Sequence, residues 1–467
     1  MSISFRPSWT SAGQLYIPAN LAMVFFTALI IAAWVLTSTD IDTILTAVTG
    51  VIVLGLGIIA AIYSVLRWGR DSSSIMQLMA TISPTALLMT TFPLIMDELI
   101  VAGHQNLVLA VAVTVPWITS AATLPIYAPL TSTDRSDVHA FYRDFYRVFP
   151  SVAMWAMLAV GGFTLFVLAA ADFTPGQLGI YVVGLIANIL FALFTVPPQE
   201  THKYTEVFLG WVLYASWMLF VPELWVLAPL LGCIPGLVQS RSGLSGLLQP
   251  MEINQKMALR QMGYGLLYGG ILWADKFLLI FFFRDQIDVV AIYVALIPVV
   301  IAQSAYFASQ YVVFRRCIDS MYGLVEKLPY QRFEDHTMDF FRDVDRALMR
   351  TLSIAGLSGF GLILTFPALG YPPTLLTLAF VIAPVWLLAL TLQVYQVNQL
   401  KGESQPAMFS AIHLITTFVA IPAFSPAVAM CLIVIVDIAL VVWATGKLKG
   451  AFEDAAYELF WSRAVTW

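Results

Sequence analysis

Charged residues make up only 11% of this sequence, while 60% of its 467 residues are apolar. A soluble domain of that size could not keep such a composition in water, so the chain belongs in a bilayer. Cysteine is nearly absent. The three, at 233, 317 and 431, stand in apolar runs or beside Arg315 and Arg316, and suggest neither a disulfide framework nor a metal cluster. There is no Gly-rich Lys-Ser/Thr phosphate loop, and none of the five histidines neighbours an obvious nucleophile, so neither an enzyme nor a resident metal or cofactor is expected. Asp40 and Asp42 have the spacing of a glycosyltransferase Asp-x-Asp pair, but their five-residue loop is too short for a nucleotide-sugar site. The net charge of −5 gives no reason to expect a nucleic-acid partner, because in a membrane chain the placement of charge matters more than its sum.

What is present is a series of long apolar runs without strand alternation. Backbone groups in lipid must be satisfied internally, and runs of roughly 17 to 25 residues do this as helices. Fourteen spans are expected, at 17–37, 43–66, 75–96, 106–128, 149–171, 176–197, 205–221, 223–240, 261–283, 288–314, 350–366, 372–398, 405–422 and 426–446. Pro222-Glu223 divides the apolar stretch 205–240 into two short spans. The first span lacks a small-residue cleavage pattern and reads as an anchor rather than a signal peptide. Of 23 Lys and Arg, 20 fall in the termini or in alternate loops on one side and Arg350 at the edge of a span on that side; Arg284 lies on the other, and Lys276 lies within a span. Acids dominate the opposite loops: Asp40, Asp42, Asp97, Glu98, Asp172, Glu223, Asp285 and Asp288. The positive-inside rule then places both termini in the cytoplasm and the protein in the cytoplasmic membrane.

The sequence also echoes itself. Phe141-Tyr142-Arg143-Asp144-Phe145-Tyr146-Arg147 returns as Phe340-Phe341-Arg342-Asp343-Val344-Asp345-Arg346, an offset of 199 residues that the following spans share closely. The expected organisation is an N-terminal two-helix hairpin (1–74), a six-helix lobe (75–240), a cytoplasmic linker (241–260), a second six-helix lobe (261–447) and a cytoplasmic tail (448–467). An even number of helices per lobe makes the repeats parallel, and paired bundles around a central site are an architecture of transporters. The echo reads as an amphipathic segment at the headgroup boundary, with Phe141, Phe145 and Phe149 dipping inward and Arg143, Arg147, Arg342 and Arg346 meeting lipid phosphate or docking a cytosolic partner.

An ionisable side chain inside a span costs about 2.5–3.5 kcal/mol on insertion scales, so each one asks for a reason. Asp275 and Lys276 follow Gly269-Gly270 and Trp273; neighbouring helix positions diverge by about 100°, so each is expected to find a separate partner. Asp437 stands alone among aliphatics, suits proton binding, and has His413 or Gln393 as possible hydrogen-bond partners. Gln303 and Gln310, seven apart on one face, suit sugar hydroxyls, with Asn188 as a thinner counterpart in the first lobe. For each of these the competing reading is a structural contact between helices.

The 6+6 parallel duplication, with long cytoplasmic loops after the second helix of each half, resembles the multidrug/oligosaccharidyl-lipid/polysaccharide exporter superfamily. Within it, Gly265-Leu266-Leu267-Tyr268-Gly269-Gly270-Ile271-Leu272-Trp273-Ala274-Asp275-Lys276-Phe277 is similar to the Gly…Tyr…Trp-x-Asp-Lys stretch of the Pel-type exopolysaccharide exporters, and the acidic-basic loop 326–350 resembles theirs. The extra N-terminal hairpin departs from the family pattern. The resemblance implies export of a polysaccharide by alternating access between two bundles, fed by a cytosolic glycosyltransferase, with membrane co-subunits and H⁺ or Na⁺ as further possible partners. A lipid-linked oligosaccharide flippase, a cation-coupled exporter of small amphipathic molecules and a non-transporting scaffold stay open as alternatives. A flippase would need several cavity cations, and Lys276 is the one intramembrane cation in the sequence. A partner subunit is the expected contact of the hairpin.

Overall fold

The computed structural model describes residues 18–39, 43–68, 73–101, 105–130, 133, 137–171, 173–283, 287, 289–325, 327–401 and 404–464. Among them there is no strand. The described residues make fourteen helical passes, twelve of them long and apolar enough to cross a membrane. In order they are α1 (Ala19–Thr37), α2 (Thr43–Trp68), α3 (Ser73–Val101), α4 (Gln105–Leu130), α5 (Val138–Ala170), α6 (Pro175–Glu200), α7 (Tyr204–Phe220), α8 (Ala228–Ser240), α9 (Gln255–Phe283), α10 (Val289–Ala305) continuing as α11 (Tyr311–Leu324), α12 (Tyr330–Thr365), α13 (Leu375–Lys401), α14 (Ser404–Ala423) and α15 (Pro426–Ala464). The protein is a polytopic all-α membrane protein. Of the acids expected on the face opposite the basic loops, Asp40, Asp42, Asp172, Asp285, Asp288 and the side chains of Asp97 and Glu98 lie outside the described residues, as does Arg284.

Local sequence explains the boundaries. Asp137 caps α5 by accepting from the Ala140 amide at 3.0 Å, and Thr174 and Gln177 form a reciprocal capping box ahead of α6, with Pro175 at its first turn. The Pro222-Glu223 break is real: a 3₁₀ segment, Pro222–Leu227, separates α7 from α8, and Leu224 leaves helical geometry.

Three helices run well beyond the expected spans. α5, α12 and α15 continue into the segments read as loops 129–148 and 315–349 and the tail from 448. For α12 and α15 the cause is a second, smaller core in which Phe314, Cys317, Met321, Phe333 and Val344 pack against Leu448, Phe452 and Ala456; the extension of α5 packs into the main core and along the turn Arg241–Leu248. The echo therefore forms the ends of long helices. Phe141 and Phe145 are fully buried, so these aromatics do not dip into lipid, and the 3₁₀ turn Arg241–Leu248 packs along the same helix end.

Helix pairing repeats between the halves. α3 packs on α7, α4 on α5 and α6, and α8 on α6 and α7. Likewise α9 packs on α14, α10 on α12 and α13, and α15 on α13 and α14. The halves meet along α4 and α9, where small residues permit close approach. A methyl group at Gly269 would stand 2.8 Å from Ser120 Cβ, and Trp117 Nε1 donates to the Leu266 carbonyl at 2.8 Å. The N-terminal hairpin, expected against a partner subunit, packs within its own chain on α12. There a methyl group at Gly361 would lie 2.6 Å from the Leu54 amide nitrogen and 2.7 Å from the Gly50 carbonyl oxygen. Asp345 of the echo caps α1, its Oδ2 accepting from the Ala19 amide at 3.1 Å.

Candidate functional site

The second half buries a compact charge cluster. Contrary to the expectation of separate partners, Lys276 Nζ donates to Asp275 Oδ2 at 2.9 Å, with side chains 4% and 1% exposed. The physical reason is length: four methylenes let the ammonium swing back across the 100° between neighbouring positions, and a buried cation takes the nearest anion. Asp437 on α15 meets His413 on α14, Oδ1 to Nδ1, at 2.7 Å. Gln393, the other possible partner, donates instead to Thr445 at 2.7 Å. The two pairs lie within electrostatic reach of each other. Asp275 Oδ1 and Asp437 Oδ2 are buried without a hydrogen-bond partner among the described residues.

A void of about 10 Å³ adjoins the first pair, lined by Asp275, Lys276, Leu279, Ile292, Phe380, Pro384 and Met430, room for about one water molecule. Pro384 also leaves the Phe380 carbonyl without its helical donor. With Asp275 and Lys276 cancelling, the four side chains are neutral only when one proton resides on the His413–Asp437 pair. Burying a net charge is costly, so the arrangement is suited to hold one proton.

The glutamines do not act together. A π turn, Tyr306–Gln310, interrupts α10 between them, and its wider winding breaks the shared face expected of positions seven apart. Gln310 is buried and donates to Ser64 of the hairpin at 2.8 Å, with Arg350 contacting its carbonyl oxygen at 3.4 Å. It serves as a helix contact rather than a sugar contact. Gln303 is half-buried. Arg143 and Arg342 are exposed and Arg147 and Arg346 half-buried. Asp144–Arg147 and Asp343–Arg346 pair at 3.6 and 2.7 Å, the same contact in both copies of the echo.

Asn188 lies elsewhere, in a cavity of about 370 Å³ enclosed mainly by α3, α4, α6 and α7. Its amide donates to the Gly184 carbonyl at 2.9 Å and accepts from the Tyr214 hydroxyl at 3.1 Å. Beside it stand Trp211, ring-stacked with Tyr214 at 5.4 Å and 12°, then Trp225, Thr119, Thr195 and Gln199; α9 and α10 of the second half close the wall with Trp273, Tyr293 and Leu296. Among the described residues, no ionisable acid or base other than tyrosine lines it. From Asn188 to Gln199 the cavity follows eleven residues of α6, about 16 Å.

Sequence reasoning missed the aromatic members. The signal available was polar and aromatic residues at a spacing of three in otherwise aliphatic spans: Asn188 with Phe191, and Trp211 with Tyr214. No family model, curated protein or solved structure matches the chain.

Proposed function

We propose that this protein is a transporter that exports a glycan across the cytoplasmic membrane, using the cavity between α3, α4, α6 and α7 as the polymer's holding place. The observation that carries the reading is the lining itself: ring faces of Trp211, Tyr214, Trp225 and Trp273 with amides and hydroxyls of Asn188, Gln199, Thr119 and Thr195. Flat aromatic rings suit the C–H faces of pyranoses, and neutral polar groups suit their hydroxyls. A lipid diphosphate would require cations in the wall, and a lipophilic cation would require carboxylates; neither lines this cavity among the described residues. The proton that the His413–Asp437 pair can hold, or the push of a growing chain from a cytosolic glycosyltransferase, would supply the drive. The helical extension built on α11, α12 and α15 offers that enzyme a surface. The likeness of 265–277 to the Pel-type exporters points the same way.

The test is the carbohydrate distribution in cells lacking the gene, with wild-type protein added back as control. Loss of secreted polymer without lipid-linked intermediates supports polymer export. Accumulated lipid-linked oligosaccharide would indicate a flippase, and unchanged pools would refute a glycan substrate.

A further inference from the structure

We propose that the sugar unit held in this cavity is uncharged, and that the Tyr293 hydroxyl is its hydrogen-bonding contact from the second half of the molecule; this rests on the glycan reading above. Three observations lead here. Among the described residues the wall offers no fixed charge, and a charged sugar brought against them would lose hydration with nothing to replace it. In the first-half wall, Tyr214 is engaged with Asn188 and Asn188 with Gly184. Tyr293 differs. It lines the same cavity from α10 and stands near Tyr214, yet its hydroxyl is buried without a hydrogen-bond partner among the described residues.

An unsatisfied buried hydroxyl is rare because it carries a desolvation cost. Tyr293 lines the cavity where the two halves meet, so its hydroxyl, which has almost no accessible surface, has its remedy in a ligand that turns it inward. A ligand hydroxyl within reach of Tyr293 while the pyranose lies on the Trp211–Tyr214 stack would touch both halves at once. Trp273, also from the second half, adds a ring to the same wall. The ligand chemistry is thus a neutral, polyhydroxylated ring, recognised by stacking from one half and by a single hydroxyl from the other.

The experiment is a titration of the full chain in lipid nanodiscs, following tryptophan emission. The probes are neutral tetrasaccharides (cellotetraose, maltotetraose and the tetramer of N-acetylglucosamine), anionic tetragalacturonate, the cationic glucosamine tetramer, and tetraphenylphosphonium. At least one neutral tetrasaccharide is expected to quench saturably, with the charged tetramers about tenfold or more weaker. Tyr293→Phe, which removes one oxygen, is expected to weaken that binding about tenfold while thermal stability stays level or rises, since the orphan group is gone. Wild-type affinity in Tyr293→Phe would overturn the contact. Tighter binding of a charged tetramer would overturn the uncharged class while leaving glycan export standing. Binding of tetraphenylphosphonium without any saccharide would overturn both proposals. No binding by any probe would overturn the cavity as a ligand site.

Discussion

Breaking the Asp275–Lys276 pair from either side and then from both separates structure from function at this point. Replacing Lys276 with Met leaves a carboxylate that is 1% exposed, one of whose oxygens already lacks a hydrogen-bond partner among the described residues. Two independent scales bound the cost. Removing one partner of a buried ion pair costs about 3–5 kcal/mol, and a charge at the centre of a membrane helix about 2.5–3.5 kcal/mol. They overlap near 3 kcal/mol, which is the loss expected for Lys276→Met and for Asp275→Asn singly. The double variant Asp275→Asn/Lys276→Met keeps shape and removes both charges, so it is expected within about 1 kcal/mol of wild type. Unfolding of purified protein in mixed micelles by SDS titration measures all four species and gives the coupling directly. Singles as stable as wild type would refute a charged pair in the folded state. With the double variant folded, glycan export then decides the role: retained export makes the pair a structural contact, and lost export makes it part of the transport machinery.

Two further outcomes are expected. Gly361→Leu forces α12 away from α2, because even a first methyl would meet backbone atoms at 2.6 and 2.7 Å. A loss of about 1–3 kcal/mol and new protease sensitivity between α1 and α2 should follow, and an unchanged digestion pattern would argue that the hairpin is held elsewhere. His413→Leu removes the hydrogen bond to Asp437; the carboxyl then holds the proton of the pair itself, so the expected loss is that of one buried charge-assisted hydrogen bond, about 1–3 kcal/mol. Restoration by Asp437→Leu in the same chain is the expected rescue, read by the same micellar unfolding, and absence of rescue would show that the pair is not the source of the loss.

The number of passes was legible because length and apolarity decide spanning helices almost without reference to tertiary contacts. The buried ionisable residues were legible for the same reason, as exceptions within apolar runs. Side-chain destinations were not. Lys276 turning back on Asp275 depends on the absence of a nearer anion, which only packing determines. The π turn that separates Gln303 from Gln310 leaves no mark in residue spacing. Phe141 and Phe145 read as lipid-facing because the packing that buries them in the main core is tertiary and leaves no mark in local spacing. The cavity aromatics were hidden in composition, since tryptophan and tyrosine are common in membrane helices for reasons of anchoring alone.

The two halves share their helix pairing but not their interior. Shifted by 199 residues, Asn188, Phe191, Trp211 and Tyr214 fall on Leu387, Leu390, Ser410 and His413, all buried. The aromatic cavity lies mainly in the first half, and the buried charge cluster lies in the second. One helix spans both environments. On α9, Trp273 lines the cavity and Asp275, two positions on, lines the void beside the charge cluster. Two helix positions differ by about 200°, so α9 presents nearly opposite faces to the two sites. A rigid helix cannot move one face without the other. The saccharide titration on the Asp275→Asn/Lys276→Met chain therefore measures more than the pair. Unchanged affinity there would mean that the cavity and the charge cluster act independently, and a changed affinity would mean that α9 transmits between them.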